Sequence, residues 1–130
     1  MDPLIIQATE ATPHVHFDGG KGVMEIKGVS YEEDAHAFYQ PLLKWLDAYK
    51  KQPLSDTVLN VYFKYFNTAT SKALYEVFLK FQEVKKQGAS VSIYWYYDAG
   101  DDDMRDDIEY FSEVMDIQIN GRMLEQNPVQ

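Results

Sequence analysis

The run Thr57-Val58-Leu59-Asn60-Val61-Tyr62-Phe63-Lys64-Tyr65-Phe66 constrains the fold more than any other stretch. It is dense in β-branched and aromatic residues, which suit a pleated surface. It is apolar enough to read as a central strand covered on both faces. It gives way within a few residues to a helical pattern over 73–87, where Leu74, Val77, Phe78, Phe81 and Val84 recur at spacings of three and four. A strand that feeds a helix opens a strand–helix–strand unit. Such units imply parallel pairing through right-handed crossovers.

The remaining periodicities fill in the order. His14-Val15-His16-Phe17 and Val23-Met24-Glu25-Ile26-Lys27 flank the turn cluster Asp18-Gly19-Gly20-Lys21-Gly22, so residues 14–28 read as a hairpin. The stretch from Leu4 to Thr9 fits a short edge strand or a packed arm. Ser30-Tyr31-Glu32-Glu33 has the capping-box pattern, with Ser30 as N-cap and Glu33 at the third helical position. A first helix then runs to about Lys51, with Tyr31, Ala35, Phe38, Leu42, Trp45 and Tyr49 on its apolar face. Pro41 inside it is expected to kink or split it. Gly88 is the expected stop of the second helix. From Ser90 to Tyr97, Val91, Ile93, Trp95 and Tyr97 alternate with Ser92, Tyr94 and Tyr96 as another strand. An acidic loop, Asp98 to Asp103, follows. Met104, Ile108, Phe111 and Met115 mark a third helix, and Ile117 and Ile119 a short last strand. The tail from about Gly121 is polar and reads as frayed. The expected fold is α/β, in the order β-β-α-β-α-β-α with a possible final β: a mixed sheet of four to six strands with three main helices. No linker or repeat interrupts residues 1–130, so one domain is expected.

Composition excludes several classes. Of 130 residues, 45% are hydrophobic and 15% aromatic, too many for a disordered chain. The absence of cysteine removes disulfides and thiolate metal sites. A net charge of −9 repels phosphate backbones and anionic lipid, so neither nucleic acid nor a membrane surface is an expected partner. Met1-Asp2-Pro3 does not begin a signal-peptide pattern, and no apolar run is long enough to span a bilayer. The cytoplasm is the expected location.

Function is written most clearly at the junction Asn67-Thr68-Ala69-Thr70-Ser71-Lys72. Three hydroxyls, those of Thr68, Thr70 and Ser71, sit where a helix begins. One helix needs one cap, so the surplus points to modification. A helix N-terminus has unpaired N–H groups and the positive end of a dipole, and a phosphate there adds about −1.5 to −2 charges at one point. Asn67 suits the turn before the helix. Lys72, one helical turn beyond Thr68, could pair with a phosphate. The competing reading is a small acidic enzyme that uses the carboxylates of residues 98–107 with His14 or His16. That reading lacks a nucleophile–base pair or a metal set in the sequence; two alternating histidines are too few ligands. Asp101, Asp102 and Asp103 fit the first turn of a helix and are candidates for partner contact. No cofactor or metal is expected.

At this point the chain resembles the SiaC family of bacterial regulatory phosphoproteins, whose fold is similar to STAS domains. The resemblance is carried by Thr12-Pro13 with Phe17-Asp18, by Gly28-Val29-Ser30-Tyr31-Glu32-Glu33-Asp34-Ala35, and by Phe38-Tyr39-Gln40-Pro41-Leu42-Leu43-Lys44-Trp45-Leu46. It continues through Tyr65-Phe66-Asn67-Thr68, Ser71-Lys72-Ala73, and Trp95-Tyr96-Tyr97-Asp98 with Asp101 to Met104 behind it. The family's phosphorylated threonine follows an asparagine at the end of the central strand, which corresponds to Thr68. The resemblance implies a serine/threonine kinase of the histidine-kinase-like ATPase type as writer and a metal-dependent protein phosphatase as eraser. It also implies a diguanylate cyclase that the unmodified form binds and activates, in biofilm or aggregation control. Where the resemblance leads one to expect two serines after the threonine, this chain has Ala69 and Thr70, so a phosphosite at position 69 is excluded.

Overall fold

In the computed structural model, which describes residues 1–125, six strands lie side by side in the order in which they occur along the chain. Strands β1 (Leu4–Ile6), β2 (His14–Asp18) and β3 (Val23–Ser30) form an antiparallel meander. Strands β3, β4 (Asp56–Phe66), β5 (Ser90–Asp98) and β6 (Ile119–Leu124) run parallel. The helices α1 (Ala35–Tyr49), α2 (Thr68–Lys86) and α3 (Asp102–Val114) are the three crossovers. The hairpin turn is built by Asp18, whose side chain accepts from the Gly20 and Lys21 N–H groups at 3.0 and 3.2 Å. Gly22 has φ +71°, and a Cβ there would lie 2.5 Å from the Asp56 carbonyl oxygen, so no other residue fits.

Each crossover steps one strand in the same direction. Right-handed crossovers that never reverse place every helix on one face of the sheet. Burial follows this rule: Leu59, Val61 and Phe63 of β4 are buried, whereas Val58, Asn60 and Tyr62 between them are only partly covered. The expectation that β4 is covered on both faces is therefore corrected. Its open face carries Tyr62 beside Tyr96 of β5, and a tyrosine presents an apolar ring with a wettable hydroxyl. On the covered face, Trp95 is fully buried among Phe63, Phe66, Phe78 and Phe111, with ring centroids 5.5–6.4 Å away. These rings come from β4, α2 and α3, so one indole ties both helices to the sheet.

Two boundaries differ from expectation, and of the two outcomes expected at Pro41 the split does not occur. First, α1 starts at Ala35, with Asp34 as N-cap accepting from the Ala37 N–H at 3.0 Å. Ser30 is the last residue of β3 and is fully buried, and Tyr31 is exposed rather than on the helix's apolar face. A local capping pattern lost to tertiary hydrogen bonds that recruit the Ser30 hydroxyl. Second, Pro41 does not split α1. Both Pro41 and Ala37, whose carbonyl loses its helical donor, lie on the exposed side, where water can satisfy that carbonyl. Third, β6 extends through Gly121 to Leu124, paired parallel to β5. The frayed tail expected from about residue 121 is corrected over 121–124, because hydrogen bonding to β5 orders that segment; 126–130 lie outside the described residues. The arm before β1 is also held down, since Trp45 Nε1 donates to the Asp2 carbonyl at 2.9 Å. No helix among the described residues is long and apolar enough to cross a membrane.

A charge ring joins α1 to α2. Lys80 lies 2.8 Å from Asp47 and 3.6 Å from Glu83, and Lys50 lies 3.2 and 3.3 Å from the same two carboxylates. The hydrogen bond from Lys80, then that from Lys50 and the charges of both, hold the Asp47 carboxyl below its ordinary range against a desolvation penalty. A depressed folded-state value stabilises above the ordinary carboxylate range, and this is lost as pH falls through the folded value. Asp47→Asn is therefore expected to lower the melting temperature slightly at neutral pH and to match the wild type in strong acid. Thermal melts across pH measure this.

Candidate functional site

Strand β4 ends and α2 begins with one residue between them, so the junction has little freedom. The register of β3 against β4 slips at its end: Gly28 pairs Phe63, but Val29 pairs Tyr65, leaving Lys64 without a partner. This bulge shifts the alternation, so Phe66 turns inward against Phe63 and Trp95 while Tyr65 is exposed. Asn67 follows as the N-cap of α2, and its side chain accepts from the Thr70 N–H at 2.9 Å. The asparagine therefore does the capping for which a threonine hydroxyl was the alternative. Thr68 occupies the first helical position, exposed, and its hydroxyl makes no hydrogen bond among the described residues.

The three hydroxyls have three different environments. Thr68 is exposed. Ser71 is half-buried on the side facing α3, in a shallow groove with Tyr75 and Tyr110. Thr70 is fully buried, so in this conformation its hydroxyl faces the interior and not another protein. Its Oγ1 lies 2.8 Å from Ser30 Oγ and donates to the Ser30 carbonyl at 3.0 Å. Ser30 Oγ also lies 2.9 Å from the Tyr39 hydroxyl and 2.9 and 3.1 Å from the Glu32 carboxylate oxygens. Since a carboxylate only accepts, Ser30 donates to Glu32 and Tyr39 donates to Ser30. Burial raises the Tyr39 pKa, and the Glu32 charge adds to this against the opposing effect of the Ser30 bond, so the phenol stays protonated.

Beside Thr68 a cleft of about 440 Å³ opens between the starts of α1 and α2. Glu33, Asp34 and Glu76 line it with negative charge, and Lys72 and His36 with basic groups. The expected proximity of Thr68 and Lys72 is thus realised as a shared wall. At the same strand ends the exposed rings of Tyr31 and Tyr65 lie 6.0 Å apart. Sequence reasoning missed this pair and the carboxylates of the cleft. The only available signal was an odd tyrosine on each of two adjacent strand ends, which gains meaning once β3 and β4 are known to pair.

Residues 6–124 match the family described as SiaC family regulatory phosphoprotein. The chain belongs to the SiaC family. An uncharacterised protein of Pseudomonas aeruginosa strain UCBPP-PA14 is 26% identical over 113 residues, covering 87% of this chain and 90% of that one. The fold matches that of apo-SiaC from Pseudomonas aeruginosa with a TM-score of 0.85 at 24% identity, over 94% of this chain and 99% of that one. It also matches, with a TM-score of 0.86 at 23% identity over 93% and 99% of the two chains, the SiaC that was solved in complex with the diguanylate cyclase SiaD, which it activates. The α/β architecture read from the sequence is thus the architecture of SiaC proteins.

The other candidates fall apart spatially in this SiaC-family chain. His14 and His16 lie on the open sheet face of β2, and His14 Nε2 is 3.4 Å from Glu25. Residues 98–107 lie at the end of β5 and in α3, and β3 and β4 separate β5 from β2. The acidic-enzyme reading required these groups to meet, and the sheet order keeps them apart. Among the described residues no group of three or more ligating side chains could hold a metal ion. Asp101 caps α3 by accepting from the Met104 N–H at 3.0 Å, while Asp102 and Asp103 occupy its first turn, exposed. Asp98 accepts from the Tyr62 hydroxyl at 2.9 Å.

Two outcomes follow from this geometry. Asn67→Ala removes the α2 cap and is expected to cost about 1 kcal/mol, read as a lower denaturant midpoint. Desolvation, reinforced by Asp103, Asp101 and Asp106, raises the Asp107 pKa. A raised folded-state carboxyl destabilises where it is ionised and ceases to do so once protonated. Asp107→Asn is therefore expected to be more stable than the wild type at neutral pH, with the gain vanishing in acid, as paired urea titrations would show.

Proposed function

We propose that this chain is a non-catalytic signalling switch whose phosphate acceptor is Thr68. The unmodified form binds and regulates a partner, and phosphorylation blocks binding. The observation that carries the reading is the exposed, uncommitted Thr68 hydroxyl at the first position of α2, with capping delegated to Asn67. A phosphate there offers strong acceptor oxygens to the α2 start, and the helix dipole favours it. α2 has no acidic residue in its own first turn to compete. Lys72 and His36 on the cleft wall are the basic groups nearest to hand. The fold can therefore take the modification, and its effect is felt by whatever packs over the junction.

The partner we propose is a diguanylate cyclase, consistent with membership of the SiaC family and with the SiaD complex formed by a structural relative. The writer is a serine/threonine kinase of the histidine-kinase-like ATPase type, and the eraser a metal-dependent protein phosphatase. Docking over the cleft would use the exposed Tyr31 and Tyr65 rings as apolar anchors. A dianion on Thr68 would then be desolvated against the partner, next to Glu33, Asp34 and Glu76. Burying an imperfectly paired charge costs several kcal/mol, and roughly 3 kcal/mol already weakens binding about a hundredfold.

Calorimetric titration of the cyclase with unmodified chain, Thr68→Ala and Thr68→Glu tests this. Thr68→Ala is expected to bind like the wild type and Thr68→Glu to bind far more weakly, with the phosphorylated chain weaker still. Equal affinities for all forms would refute the switch. Peptide mapping after incubation with the kinase and ATP is expected to place the phosphate on Thr68.

A further inference from the structure

Thr68 and Thr70 share the first turn of α2 but differ completely in commitment. Outside the helix's own backbone ladder, the bonds that hold this turn are few. Asn67 Oδ1 accepts from the Thr70 N–H at 2.9 Å, and the Asn67 carbonyl accepts from the Ser71 N–H at 3.1 Å. The Asn67 N–H donates to the Ser30 carbonyl at 3.1 Å, and Thr70 Oγ1 donates to that same oxygen at 3.0 Å. All of them pass through Ser30, Asn67 or Thr70. From Leu74 onward the helix is held differently, by the complete burial of Leu74, Val77 and Phe78. A segment held by a separate, small set of bonds can open without unfolding the core, at less cost than global unfolding.

We propose that Ser30 and Thr70 form a latch. The Thr70 hydroxyl sets how often the first turn of α2 opens, and the open turn is the form in which Thr68 meets a modifying enzyme. Thr70 is in this sense a positioning residue for Thr68, and the inference rests on the reading of Thr68 as phosphate acceptor. The reason is geometric and electrostatic. Phosphoryl transfer needs the attacking hydroxyl in line with the leaving oxygen inside another protein's site. The Thr68 oxygen forms the new bond to the γ-phosphorus of ATP, the bond from that phosphorus to the ADP oxygen breaks, and the hydroxyl proton is released. With the turn closed, Thr68 shares a cleft with Lys72 and His36 and with the carboxylates of Glu33, Asp34 and Glu76, and the acidic groups outnumber the basic ones around an incoming triphosphate. Opening the turn takes Thr68 away from them. The latch also reaches outward, because the Ser30 hydroxyl is held by Tyr39 of α1 and by Glu32 in the segment before it. The opening rate therefore responds to both helix starts.

The test uses Thr70→Val, which removes the hydroxyl and keeps the shape, and Thr70→Ser, which restores the hydroxyl. The Ser30 carbonyl keeps its Asn67 donor in both. Amide hydrogen exchange is measured on the full chain. In Thr70→Val the Ser71 and Lys72 amides are expected to exchange about tenfold faster, the effect of one net hydrogen bond. Amides of β4 and β5 are expected to keep wild-type rates, and Thr70→Ser is expected to behave like the wild type. In parallel, the initial rate of Thr68 phosphorylation by the kinase with ATP is expected to rise by a similar factor in Thr70→Val. Unchanged exchange of the first turn, or faster exchange throughout the chain, overturns the latch. Faster first-turn exchange with unchanged or slower phosphorylation overturns its role in presenting Thr68. If the wild-type chain takes no phosphate on Thr68, the acceptor reading fails and presentation with it, while exchange still decides whether the latch exists.

Discussion

The architecture depends on one constraint: three successive crossovers of the same hand that all step the same way across the sheet. From it follow the single covered face, the position of Trp95 at the centre of that face, and the alignment of helix starts along one end of the sheet. The last consequence matters most for function. In a parallel sheet each strand points its C-terminal end at the next helix's N-terminus, so the ends of β3 and β4 bring the α1 and α2 starts side by side. A cleft between two helix starts is a product of this topology, and the exposed threonine sits on its wall.

Polar chemistry at that end is divided between a buried layer and an exposed one. The buried layer is the hydroxyl cluster of Ser30, Tyr39 and Thr70 with the Glu32 carboxylate, in which each hydroxyl proton has an acceptor. Such fully satisfied networks rigidify a site. The exposed layer is Thr68, Lys72, His36 and the carboxylates of Glu33, Asp34 and Glu76. The two layers meet at the first turn of α2, where the buried Thr70 and the exposed Thr68 are two residues apart. Relatives in the SiaC family keep this architecture at about a quarter sequence identity, as expected when burial pattern and topology define it.

Much of the fold was legible because it is encoded by local period. The alternation in β5, the three-and-four spacing in α2 and the Asp-Gly-Gly turn all acted over a few residues. The failures share a cause as well. Ser30 matched a capping box, yet its hydroxyl was recruited by Tyr39 and by Thr70, forty residues away. β4 looked buried on both sides because tyrosines count as apolar in a pattern, although Tyr62 on its open face carries a polar hydroxyl, bonded to Asp98. β6 looked frayed beyond Gly121 because the sequence from 125 onward is polar, while pairing with β5 is invisible to composition.

The candidate site shows the same division. Local chemistry alone singled out the junction at residues 67–72, because hydroxyls and an asparagine before a helix are a pattern a few residues wide. It could not rank the hydroxyls. Thr68 and Thr70 are indistinguishable as residues, and only packing against β3 turned one outward and locked the other in the interior. Burial is set by which surfaces meet across the whole chain, and no short window of sequence carries that information.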